Sequence, residues 1–444
     1  MVCGIKVGDN IIVEKDSEIN IEIEVNETRV NVARPPDGGW GWVVVFAALV
    51  SSALFDGVTY SYGVLTTEFI DHFDVSRTTI GLMGSLLIGM TLCPGPIVGY
   101  LCKKYGYRFV MILGGSISSI SFMAPFFYAE LWFLFLTSSL LTGIGFGMIY
   151  LTCVVIVNNY FEKRRGLAVG IAVCGSGLGT FIFGPLIQFL IELYGWRGAM
   201  LIAGGILFNL IPCGLLFQKL PTHTLNEASN LNKKKENSIK NTIKLVLKLF
   251  SNPIFILYGL SNFFSCVGFN APFIYVKDRA ITAGIPAIKA SFLLSSMGIG
   301  NFFGRIAFGF IATRELFNGF HLYNASLIIC GATLICSWGV TSYASMIVYT
   351  LIFGVMAGSY VTMTSIVLVE LFGLNDLGLL FGLINICQGV AVFIGPPLAG
   401  YIYDSTHSFN AAFLFCGGFL SIAGLMMYIA YFFKGFRKSH CQMK

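Results

Sequence analysis

The chain has 444 residues, 56% of them hydrophobic and only 11% charged, with a mean hydropathy of +0.78. A soluble domain carries about 25% charged residues, so the 28 Lys and Arg and 22 Asp and Glu present are too few to cover the roughly three soluble domains this length would allow. A water-soluble enzyme is excluded, and the solvent must be a lipid bilayer.

Residues 1–36 are polar and mildly acidic, without the basic start, apolar stretch and cleavage site of a secretory signal. They read as a mobile tail. A spanning helix needs about 20 apolar residues, and twelve stretches qualify: 40–62, 77–101, 108–128, 131–157, 166–190, 198–217, 254–276, 288–312, 321–340, 343–368, 378–402 and 411–433. None alternates strictly between apolar and polar, so a β-barrel is not expected. The expected fold is an all-α membrane protein: a tail (1–39), a six-helix bundle (40–217), a loop (218–253), a second six-helix bundle (254–433) and a C-terminal tail (434–444).

Short loops rich in Lys and Arg stay cytoplasmic. With residues 1–39 on that side, only Arg77, Arg197, Lys277, Arg279 and Lys289 fall opposite, and Arg305 lies inside a span. Both termini are expected in the cytoplasm. The net charge of +6 is then a topological signal, and nucleic-acid binding is not expected. In the 218–250 loop, Lys240, Lys244 and Lys248 stand at helical spacing that suits anionic headgroups, although a simple linker explains them better. The sequons at Asn26 and Asn324 are expected to stay unglycosylated, the first in a cytoplasmic tail and the second inside a span.

Nine of the twelve cysteines lie in spans and no CxxC pair exists, so they read as packing residues. The five histidines show no metal-ligand spacing, and no phosphate loop, nucleophile elbow or HExxH is present. No metal or cofactor is expected. Gly175, Gly177 and Gly179 lie within an apolar span and read as a helix-packing surface, not a nucleotide loop.

Shifting the chain by 211 residues places Gly147 on Gly358, Phe161 on Phe372, Gly184 on Gly395 and Pro185 on Pro396. Two like-oriented six-helix halves are the arrangement of transporters that rock about a midplane site.

Two segments bring a family into view. The stretch Gly99–Arg108 resembles the cytoplasmic loop signature of the major facilitator superfamily, with Lys104 where an acidic residue is more usual. The run Pro36, Asp37, Gly38, Gly39, Trp40, Gly41, Trp42 is similar to the first hallmark of the monocarboxylate transporter family, and residues 160–179 resemble its second, with Cys174 in place of a small Ala or Ser. Asp37 suits the positive end of the first helix, and Trp40 and Trp42 suit the membrane interface. Anchoring explains these residues better than substrate contact. Lys163, Arg164 and Arg165 either form charge pairs that hold one end-state or act only as an orientation signal.

Ionisable groups within spans cost at least about 2.5–3.5 kcal/mol at the helix centre and mark function. Asp56, Arg305 and Glu370 are the candidates. Arg305 offers a planar charged fork that fits a carboxylate; the bland alternative is an ion pair with Glu370. The resemblance implies an arginine in the eighth span that binds the substrate carboxylate, and Arg305 occupies that position. It also implies, for the proton-coupled lactate and pyruvate carriers, an aspartate one turn before that arginine and a lysine in the first span; here they are Asn301 and Tyr60. An amide carries no proton. Asp56, one turn before Tyr60, either takes over as the proton or cation partner or caps a helix break beside Gly57.

Family members that look similar in lacking these charges carry creatine, carnitine or aromatic amino acids. Tyr60, Tyr62, Phe302, Phe303 and Tyr360 offer π faces to such groups, although packing accounts for any single one of them. Asn385 and Gln388 are weaker lining candidates.

The expected function is alternating-access transport of a small carboxylate-bearing metabolite across the plasma membrane, as a symporter if Asp56 carries a proton. The alternatives are proton-independent passage of a zwitterion and, from another class, a non-transporting sensor. The expected partners are the substrate, the bilayer and, from the resemblance, a single-span accessory glycoprotein such as some relatives require.

Overall fold

The computed structural model describes residues 4–7, 10–13, 38–161, 165–218, 249–313, 319–340, 342–372 and 377–432. Within the stretch that reads as a mobile tail, β1 (Gly4–Val7) and β2 (Asn10–Val13) pair antiparallel with Ile5 opposite Ile12. The apolar Ile and Val residues favour strands.

The membrane region runs as α1 (Trp40–Phe73), α2 (Arg77–Leu92, resuming after Pro94 as Gly95–Tyr105), α3 (Tyr107–Met123) and α4, whose segments Leu131–Leu134 and Thr142–Tyr160 flank a π-helical stretch, Phe135–Leu141. The long run Arg165–Leu207 turns at Gly195 (φ 68°, ψ 171°), a conformation open to glycine. This divides it into α5 (165–194) and α6 (196–207), which Leu210–Leu215 extends. The second half comprises α7 (Pro253–Phe269 and Ala271–Thr282), α8 (Ala287–Thr313), α9 (Gly319–Cys336), α10 (Tyr343–Phe372), α11 (Leu377–Thr406) and α12 (Phe409–Phe432).

Among the described residues, ten helical runs are long and apolar enough to cross a membrane. One of them, Leu167–Leu215, is the α5–α6 pair. The 27-residue α8 is long enough but is diluted by Asn301 and Arg305. Twelve spans result. Their outer surface is apolar, with Phe46, Ile97 and Phe127 exposed, a surface that lipid satisfies and water would not.

The bundles meet where α5 packs on α8 and α2 on α11, with α1 beside α7. The repeat survives as contacts: Gly147 of α4 sits against Met90 and Pro94 of α2, and Gly358 of α10 against Asn301 and Arg305 of α8. Each pair is offset by the same 211 residues, so Arg305 stands where its half's counterpart has Pro94. Asn324 is fully buried, and Asn26 lies outside the described residues.

Two spans are longer than expected. Helix α1 continues to Phe73 and α7 to Thr282, so Lys277, Asp278 and Arg279 belong to a helix and are buried. Lys277 and Arg279 are not loop charges, because hydrogen bonds replace the hydration that charged tips would otherwise seek.

Candidate functional site

Helix α5 sets the site. A Cβ on Gly175 or Gly179 would collide with the α1 backbone at Leu49 and Ala53, and one on Gly177 would come within 2.6 Å of the Phe302 backbone nitrogen on α8. One glycine stretch thus brings α1 and α8 against opposite sides of α5, as small-residue packing predicts. Gly57 of α1 likewise approaches Gly179. Since α1 is continuous through Asp56 and Gly57, the helix-break alternative for Asp56 is set aside: this glycine serves close packing.

At that junction Arg305 is 6% exposed and Asn301 4%. Arg305 Nε donates to Asn301 Oδ1 at 2.7 Å, one helical turn away, which fixes the plane of the guanidinium. Nη1 reaches across to the Val173 carbonyl of α5 at 3.3 Å. Nη2 has no hydrogen-bond partner among the described residues.

Val173 also lines a small cavity in the first bundle, together with Ser52, Asp56, Tyr150, Cys153 and Ala172. Asp56, Tyr60 and Tyr150 lie within Coulombic range of Arg305. The structure therefore brings Arg305 and Asn301 of one bundle near Asp56 and Tyr60 of the other, a cation from one and a carboxyl group from the other. The Tyr60 ring packs, tilted, against Phe273 of α7 at 4.6 Å between centroids, and the aromatic series continues through Phe269 to Tyr360.

Glu370 is elsewhere. It stands two residues before the end of α10, and its carboxylate lies against Gly319 at the start of α9. Gly358, the α10 residue level with Arg305, is twelve residues earlier, or about 18 Å along a helix. That span is too long for an arginine to bridge, so neither the Arg305–Glu370 pair nor a place for Glu370 beside Arg305 is formed. Tyr62 turns inward to Ser138 at 2.8 Å, and Phe303 is 61% exposed on the outer surface. Gln388 and Tyr360 bond to Asn262 of α7, and Asn385 is buried.

The motif residues at the entry to α1 make capping and packing contacts. Gly39 caps α1 at φ 55°, which favours glycine. Trp40 Nε1 donates to the Leu216 carbonyl at 3.0 Å. Trp42 packs edge-on to Phe161 at 5.0 Å, so the two hallmarks meet in space. Gly38 opens the described segment ahead of α1. Asp37, Lys163 and Arg164 lie outside the described residues, and of Arg165 only the helical backbone is described.

Sequence reasoning missed Ser52, which stands four residues before Asp56 on α1 and is recoverable from that spacing. It also missed Tyr150 and the Val173 carbonyl; a backbone acceptor leaves no residue-type signal at all.

The family model of the Major Facilitator Superfamily matches residues 42–323 and 320–440. Monocarboxylate transporter 12 of Xenopus laevis is 30% identical over 415 residues, spanning 89% of this chain and 90% of that protein. Monocarboxylate transporter 3 of Gallus gallus is 29% identical over 428 residues, spanning 89% and 79%. Among solved structures, a bacterial homolog of the human lysosomal transporter Spinster, inward-facing and unoccupied, shares the fold with a TM-score of 0.71 at 15% identity, over 90% of this chain and 99% of that one. With matches that run through both bundles, the chain belongs to the major facilitator superfamily of membrane transporters and, within it, to the monocarboxylate transporter family.

Proposed function

We propose that this transporter carries a small carboxylate-bearing metabolite by alternating access, with Arg305 as the carboxylate's partner. The observation that carries this reading is the buried guanidinium whose Nε and Nη1 are held by Asn301 and Val173 while Nη2 has no partner among the described residues. A charge that is both oriented and incompletely paired at a bundle interface is poised for an anion. Asn301 acts here through Arg305, as a positioning residue.

A second reading rests on Asp56, a carboxylate on the facing bundle within Coulombic range of Arg305. With opposite charges on the two walls, a zwitterion would place its carboxylate on Arg305 and its cation on Asp56 beside the Tyr60 ring. If the substrate brings no cation, Asp56 is left for a proton. The rocking units are residues 40–217 and 254–433, joined by the 218–253 loop, in the plasma membrane with both termini in the cytoplasm.

Uptake of labelled lactate, creatine, carnitine and an aromatic amino acid, with and without an inward proton gradient, tests both readings. Gradient-driven lactate uptake supports the proton role of Asp56. Gradient-independent uptake of a zwitterion supports the charge-pair reading. No uptake of any of the four, in protein shown to reach the cell surface, counts against both.

A further inference from the structure

At the end of the molecule opposite the termini, one residue of α2 is held by the other bundle through its backbone and its side chain together. Arg77 Nε and Nη2 donate to the two carboxylate oxygens of Asp278 on α7, at 2.6 and 3.1 Å. The guanidinium lies 4.1 Å from the ring centroid of Tyr403 on α11. The Arg77 carbonyl accepts from the Tyr275 hydroxyl at 2.8 Å.

The first turn of α2 is also capped from across the interface. The backbone N–H groups of Arg77 and Thr78 and the Thr78 hydroxyl all donate to the Asp404 carboxylate of α11, at 3.1, 2.9 and 2.6 Å. A helix N-terminus leaves its first N–H groups unpaired within the helix. Here the carboxylate that takes those of Arg77 and Thr78 belongs to the opposite bundle, so separating the bundles frees these two groups, while Ser76 keeps its own bond from the Thr79 N–H. Nearby, the buried Lys277 of α7 donates to the Val64 carbonyl and the Thr67 hydroxyl of α1, at 3.0 and 2.6 Å.

Arg77 and Thr78 with Asp278 and Asp404, and Lys277 with Val64 and Thr67, thus join the bundles at this end. The structure is therefore the state closed at the Arg77 end. We propose that Arg77, Thr78, Asp278 and Asp404 form a releasable latch that holds this mouth shut, and that its strength sets the balance between the two access states. Buried charged groups left without partners are costly. Asp278 is the buried member of this set, so opening this mouth requires water to reach its carboxylate as Arg77 leaves it, and this favours an all-or-none release.

The test needs no substrate. Nitroxide labels are introduced through genetically encoded ketone side chains, leaving the native cysteines in place. One pair replaces Tyr194 and Ala283 at the latch end, and the other replaces Leu167 and Phe310 at the end nearer the termini; all four residues are exposed. Both distance distributions are measured in reconstituted protein, with and without Asp278→Asn combined with Asp404→Asn. The expected result is a lengthening at the latch end, a matching shortening at the other end, and a change of about tenfold or more in the ratio of the two states, the scale of a lost charged hydrogen bond.

Unchanged distributions in folded protein would overturn the proposal. So would widening at the latch end alone, because local loosening does not rock the opposite mouth. If the double variant does not fold, Thr78→Val, which removes only the hydroxyl bond to Asp404, is measured in the same way. The same paired shift at smaller amplitude supports the latch, and no shift rejects it.

Discussion

At the scale of the residue, the proposed chemistry rests on how Arg305 is held. Its Nε bond to Asn301 fixes the plane of the fork, and a hydrogen bond involving a charged group contributes about 1.5–3 kcal/mol. Arg305→Ala is expected to abolish carboxylate uptake while surface expression stays near normal. Arg305→Lys keeps the charge but loses the bidentate fork, so it should raise KM by about tenfold or more, by the same bond energy. Asn301→Ala should raise KM more modestly, with kcat little changed, because it frees the fork without removing it. Full activity in Arg305→Ala would reject the site. If Asp56 carries the proton, Asp56→Asn, which cannot titrate, should flatten the pH profile of uptake; an unchanged profile assigns Asp56 to the substrate cation or to packing.

Two of these residues were legible in the sequence because a charge within an apolar span is conspicuous on its own. Their separation from Glu370 was not. Hydropathy marks all three charges alike, whereas their depths along α8 and α10 depend on how Gly358 seats against Asn301 and Arg305.

At the scale of the element, helix α5 is the part that other helices are built around. Gly175, Gly177 and Gly179 admit the backbones of α1 and α8, and a side chain there forces them apart. Overpacking of a tight contact costs about 1–3 kcal/mol. Gly179→Val is therefore expected to lower the melting temperature in detergent and to weaken uptake, since it displaces α1 and with it Asp56. Gly205, where an added Cβ would meet nothing within 4 Å, is the control: Gly205→Ala should leave both measurements unchanged. The glycine-rich stretch is readable from sequence as a packing surface. Which helix each glycine admits is not, because that depends on the rotation of α5 about its own axis.

At the scale of the whole molecule, the repeat predicts that contacts within one bundle recur in the other, and the seating of α4 on α2 and of α10 on α8 follows it. The site and the latch break that symmetry. Arg305 takes the place that Pro94 holds in the first half, and Arg77 is held by Asp278 and Tyr275 of the second half. A transporter needs the broken symmetry, since identical halves would offer a substrate no distinct charged wall. The proposed orientation makes a separate prediction: epitope tags at either terminus should be reached by antibody only after the membrane is permeabilised. Staining of intact cells would reverse the topology, and the latch would then face the cytoplasm.

From its sequence alone this protein was determined to be a membrane protein of twelve spans in two related halves, with the marks of the monocarboxylate transporter family and an arginine in its eighth span. Those properties are local: each span declares itself within about 20 residues, and motifs are read where they stand. Only the tertiary structure decided that Asp56 comes near Arg305, that Glu370 does not, and that Lys277 and Asp278 are buried in a helix that meets the other bundle. Such relations join residues some 200 positions apart, and they are set by which faces of packed helices meet, a property that no single segment carries.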